Sequence, residues 1–110
     1  MRFILVERNE SQLLNDVMRE IGKHGAVFRT NSGSVRLANG KSFRGLPKGF
    51  ADCMLVRPGG TIAFVECKVK PNKPTPEQIT FIEKMRSLGC RAGVAYSVDD
   101  ALKICGIMRG

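Results

Sequence analysis

The run Thr61-Ile-Ala-Phe-Val-Glu-Cys-Lys-Val69 constrains the fold more than any other part of the chain. The two-residue period of a β-strand puts Ile62, Phe64, Glu66 and Lys68 on one face and Ala63, Val65, Cys67 and Val69 on the other. Glu66 and Lys68 therefore project side by side from an otherwise apolar strand. Charged groups in such a place must be paired, metal-bound or at a solvated edge.

The preceding segment supplies a partner. Pro58-Gly-Gly joins two strands, Phe50–Arg57 and Thr61–Lys70. If Arg57 pairs with Thr61 across this turn, Val56 faces Ile62 and Asp52 faces Glu66. Directly opposed residues have Cβ atoms roughly 5 Å apart, and like charges there are destabilising. A divalent cation with oxygen ligands reconciles two such carboxylates, and Lys68 adds a positive charge beside them. The argument depends on register, since a slip of one residue would send the side chains to the other face. A third carboxylate, Glu10, falls on the inward stripe of the first helix with Leu13, Leu14 and Val17. Taken alone it fits equally well as an acid favoured by the helix dipole. A same-face salt bridge is the plain alternative for Glu66 and Lys68.

Around this centre the chain divides by period and punctuation. Asn9, with Gln12 three residues on, caps a helix over 9–23. A short strand spans Val27–Thr30. Val35 to Arg44 is expected as a hairpin, with Asn39-Gly40 in a type I′ turn of two positive φ angles. Thr75-Pro-Glu-Gln78 opens a second helix that runs to Leu88 and stops at Gly89. Arg91–Tyr96 is a buried strand, and Ser97 with Asp100 caps a short final helix. This order predicts a single mixed α/β domain over residues 1–110, a sheet covered by helices.

Eighteen Lys and Arg against ten Asp and Glu give a net charge of +8, which predicts attraction to a polyanion. No basic amphipathic helix points to a membrane surface. The absence of Trp and a single Tyr exclude an aromatic platform for stacking single-stranded bases. Four Cys without a CxxC pair, and one His, argue against a zinc site. The same Cys pattern fits reduced thiols in the cytoplasm, as does the lack of a signal peptide or membrane span. His24 reads as a dipole partner at a helix end.

Asp52, thirteen intervening residues, then Glu66-Cys67-Lys68 is similar to the PD-(D/E)XK nuclease signature. More narrowly, the chain resembles the VRR-NUC family of virus-type replication-repair nucleases. The likeness rests on Glu10-x-x-Leu-x-x-x-Val, Arg29-Thr-Asn-Ser-Gly33, the Asn-Gly hairpin, Gly45-Leu-Pro-Lys-Gly-Phe-Ala-Asp52, Phe64-Val-Glu-Cys-Lys68 and Thr75-Pro-Glu-Gln78. Ala51 stands where the signature has Pro.

The resemblance implies a restriction-endonuclease-like fold and a Mg²⁺- or Mn²⁺-dependent endonuclease. It implies metal ligation by Asp52, Glu66, the main-chain carbonyl of Cys67 and Glu10 (direct or through water), with Lys68 catalytic and Gln78 supporting. On local grounds Gln78 fits a capping box as well, and Asn31-Ser-Gly33 a simple turn. Candidate DNA contacts are Arg29, Ser32, Arg36, Lys41, Arg44, Lys48, Lys70 and Lys73. By analogy with small stand-alone relatives, the substrate is a four-way (Holliday) junction and the enzyme a homodimer. A general or sequence-specific nuclease or nickase, and an inert basic DNA-binding module, are the alternatives.

Overall fold

The computed structural model describes residues 9–30, 34–36, 38–44 and 46–107. The elements are α1 (Glu10–Ile21), a 3₁₀ turn (Gly22–His24), β1 (Ala26–Arg29), β2 (Ser34–Arg36), β3 (Ser42–Arg44), β4 (Cys53–Val56), β5 (Ile62–Cys67), α2 (Pro76–Ser87), β6 (Arg91–Ala95) and α3 (Val98–Ile104). Four strands form one sheet in the order β1-β4-β5-β6, and β2 and β3 form a separate ribbon. β1, β4 and β5 run antiparallel in succession, while β6 lies parallel to β5. Parallel neighbours need a crossover, and α2 provides it.

All three helices start as their sequences predict. Asn9 accepts from Gln12 N–H at 2.8 Å while Gln12 Oε1 accepts from Asn9 N–H at 2.9 Å. Thr75 and Gln78 repeat this box, with Pro76 in the first turn. Ser97 Oγ accepts from Asp100 N–H. Each box satisfies helix-end donors that would otherwise lack partners. The far end of the first helix differs from expectation, because the segment after Ile21 tightens into the 3₁₀ turn. Such tightening is common where a helix ends.

The helices cover both faces of the sheet. Leu13, Leu14, Val17 and Ile21 of α1, with Ala101, Leu102 and Cys105 at α3, pack on Cys53, Leu55, Ala63, Val65 and Cys67. On the other face Phe64, Ala51 and Ala92 meet Ile82 of α2, with Phe50, Phe81 and Met85 around them. The rings of Phe50 and Phe64 stand 4.5 and 5.2 Å from that of Phe81. The expected alternation along β5 is thus realised. Four thiols, Cys53, Cys67, Cys90 and Cys105, are free, and all but Cys90 are fully buried.

The Asn39-Gly40 hairpin is built differently from the expectation. Arg36 pairs with Ser42, so the connection is five residues long. Gly40 has φ +82°, but among the described residues only glycines have positive φ, so Asn39 cannot form a type I′ turn. Instead its Oδ1 accepts from Lys41 N–H at 3.0 Å. The Asn side chain has substituted for a backbone turn, a local bond that competes with the tight hairpin.

Candidate active site

The expected register between β4 and β5 is present: Val56 pairs with Ile62 and Cys53 with Val65, and Arg57 N–H donates to Thr61 O at 2.9 Å. One step further along the same register places Asp52 beside Glu66. Both expected strands are shorter than the sequence reading gave. Asp52 falls one residue before β4 and Lys68 one residue after β5. The ladder gives way at Asp52 because its side chain replaces a backbone acceptor: Asp52 Oδ2 takes the N–H of Cys67 at 2.9 Å. Its main chain is held from the other side, where Thr30 N–H donates to Asp52 O at 2.9 Å and the Thr30 hydroxyl to Ala51 O. Thr30, a strand end and part of the Arg29–Gly33 motif in the sequence, thus holds the Asp52 main chain in place.

Glu66 is the one buried charged residue among those described, at 3% exposure. Its pKa is pushed up to about 8, first by burial and then by the charge and hydrogen bonding of the adjoining Asp52 carboxylate, with Lys68 opposing. Glu66 Oε2 is buried without a hydrogen-bond partner. Lys68, past the strand, reaches α1, where its Nζ lies 3.9 Å from Glu10 Oε1. That distance makes an ion pair but no hydrogen bond, and Glu10 Oε1 is the second buried carboxylate oxygen without a partner. Asn9 caps the helix on which Glu10 is the first residue, so the cap aims this carboxylate.

Two orphaned carboxylate oxygens and an opposed Asp–Glu pair fit a hard divalent cation, which prefers oxygen donors. Among the described residues no three His, Cys, Asp or Glu side chains converge as a metal cage. The donor set fits an ion shared by the opposed Asp52 and Glu66 carboxylates with waters completing its shell. Mg²⁺ is commonly bound in this way, through one or two carboxylates and several waters.

The remaining sequence candidates spread outward. Gln78 spends its Oε1 on the Thr75 cap, and among the described residues no hydrogen bond joins it to the carboxylates. Arg29 pairs with Cys53 in the sheet, next to Asp52, and is exposed. Lys70 lies 5.9 Å from the centroid of the Tyr96 ring, and Lys73 is exposed in the loop that follows. Lys48 is exposed on the approach to Asp52, close enough to Glu77 to lower that carboxyl's pKa after the backbone hydrogen bond does. Lys41 is exposed in the β2–β3 connection. Arg36 and Arg44 lie on β2 and β3, and Ser32 lies outside the described residues.

Comparisons with known proteins bear on the family and the fold. A family model described as the VRR-NUC domain matches residues 3–99. A solved structure described as a VRR_NUC domain is similar with a TM-score of 0.63 and 26% identity, over 88% of this chain and 94% of that one. No curated protein matches the chain. Such domains are nucleases of the PD-(D/E)XK type, which generally use divalent metals. With its mixed sheet, its flanking helices and this match over most of its length, the chain belongs to the VRR-NUC family.

Proposed function

We propose that this chain is a divalent-metal-dependent, structure-specific DNA endonuclease that acts as a homodimer on four-way junctions. The single observation that carries the nuclease part is buried Glu66 opposite half-buried Asp52, with unpartnered oxygens on Glu66 and Glu10 and Lys68 beside them. A pure DNA binder gains nothing from carboxylates facing phosphates. A bound Mg²⁺ or Mn²⁺ supplies Lewis-acid polarisation of the scissile phosphate and a more acidic water. Asp52 and Glu66 hold that ion, and the Asp52 contact to Cys67 N–H keeps the carboxylate oriented. Lys68 places a positive charge where the attacking water and the growing phosphate charge meet. Glu10 steadies the Lys68 ammonium, and the NH₂ of Gln78 remains available to the scissile strand. Arg29, Ser32, Arg36, Lys41, Arg44, Lys48, Lys70 and Lys73 are the proposed phosphate contacts.

The junction and the dimer rest on the likeness to small stand-alone relatives, and residues 1–110 are taken as one catalytic domain. Four free thiols support a reducing, cytoplasmic setting, that of the host cell if the protein is virus-encoded.

The test is a labelled four-way junction and a matched linear duplex, each with Mg²⁺, Mn²⁺ or EDTA, beside Glu66→Ala. Junction-selective, metal-dependent cutting lost in the variant is expected, with a solution mass twice 12.1 kDa. Equal cutting of both substrates would reduce the reading to a general nuclease. Binding without cutting under every condition would leave an inert DNA-binding module.

A further inference from the structure

At the opposite end of the sheet from the carboxylates lies a cleft of about 450 Å³, lined by Arg86, Cys90, Arg91, Ala92, Lys103 and Ile104. Arg91 opens β6 opposite Ala63, whereas the active site lies at Cys67 and Ala95. Four residue steps along the strand separate the two, roughly 13 Å along the sheet. We infer that this cleft is a second phosphate-binding site, and that it takes the backbone of a DNA segment other than the one being cut.

The guanidinium groups here are fixed rather than solvated at random. Arg86 Nε donates to Ala92 O at 2.8 Å, and Arg91 Nε donates to Ile104 O at 2.7 Å. Arg91 also seats its guanidinium over Gly106, where an added Cβ would come within 2.8 Å of Arg91 Cζ. Arg57 donates through one Nη to Cys105 O and Gly106 O, at 3.2 and 3.3 Å. Arg91 Nη2 also donates, at 3.4 Å, to Lys103 O; Arg86 keeps both Nη groups and Arg91 its Nη1 for a phosphate oxygen pair.

Part of this positive charge answers the ends of α2 and α3, whose C-termini point here. Each helix end carries about half a negative charge. Two such ends offset about one unit of the three supplied by Arg86, Arg91 and Lys103. The surplus remains positive, and among the described residues no carboxylate lines the cleft. Helix capping alone therefore leaves the cations over-provided.

The inference rests on the nuclease reading, since it assumes a DNA substrate large enough to reach both ends of the sheet. Lys103 is exposed and outside the proposed active site, so Lys103→Glu tests the cleft without disturbing the carboxylates. Binding of a long branched duplex should weaken several-fold, with the slope of log affinity against log salt reduced by about 0.9 or more. Metal-dependent cutting of a four-way junction at saturating protein should be unchanged. In the wild-type protein, the Arg86 and Arg91 Nε–H resonances should shift on adding excess duplex in EDTA. Unmoved resonances, or undiminished branched-DNA binding in Lys103→Glu, would overturn the cleft as a DNA site. Resonances that respond to inorganic phosphate but not to DNA would overturn it too, in favour of a small-anion site. If wild type cuts no DNA with any metal, it is the nuclease reading that fails, and the resonance test still decides the cleft.

Discussion

Glu66 is held against its own charge. Its carboxyl titrates at about 8 in the folded chain against 4.5 ordinarily, so the folded state keeps a proton that the unfolded state releases between those values. The associated stability is fully present below about pH 4.5 and is lost as pH rises through about 8, with a slope of at most about 1.4 kcal/mol per pH unit. Chemical unfolding of the metal-free protein should show this decline, and Glu66→Gln should flatten it. Mg²⁺ should raise the melting temperature of the wild type near pH 8, because ligand binding to the folded state stabilises it. An equal rise in Glu66→Gln would remove Glu66 from the ligand set. Lys68 has a separable role. Lys68→Ala should cut DNA about 10²–10³-fold more slowly while keeping the Mg²⁺-induced melting shift; loss of both would make Lys68 a structural partner of Glu10 instead.

At the scale of elements, the site depends on loops that rest on helices. Gly49, with φ +93°, precedes Asp52, and a Cβ there would meet Glu77 O at 2.6 Å in the first turn of α2. Gly49→Ala should cost about 1–2 kcal/mol from the backbone conformation alone, with the collision added. A melting temperature within a degree of wild type would show that the loop can yield. What the sequence disclosed at this scale has a clear physical pattern. Helix starts were legible because caps are local bonds over three residues, as at Asn9, Thr75 and Ser97. The β4–β5 register was legible because a two-glycine turn and alternating apolar residues leave one pairing that buries the right face. The Asn39 turn was not, because one side-chain bond to Lys41 outweighed a backbone preference. The strand ends were also hidden, since only the folded chain lets Asp52 replace a backbone acceptor.

Among the described residues the two ends of the sheet carry different chemistry: the Asp52–Glu66 pair with Lys68 at one, backbone-anchored guanidiniums at the other. The carboxylate end could be read from the chain because Glu66 and Lys68 are two residues apart and Asp52 lies across one turn. The guanidinium end could not, since Arg57, Arg86, Arg91 and Lys103 come from separate elements that only the tertiary fold assembles. The buried thiols give this architecture a clock. Cys53, Cys67 and Cys105 are shielded in the core between the sheet and α1 and α3, and burial raises the pKa of each. They present neither access nor thiolate to an alkylating reagent. Native protein should therefore consume one equivalent of reagent quickly, at half-buried Cys90, and the rest only as the core opens. Rapid modification of all four in the native state would mean that the core breathes freely. Because Cys67 stands between Glu66 and Lys68, its alkylation rate, followed by peptide mass with and without Mg²⁺, times the opening of β5 itself.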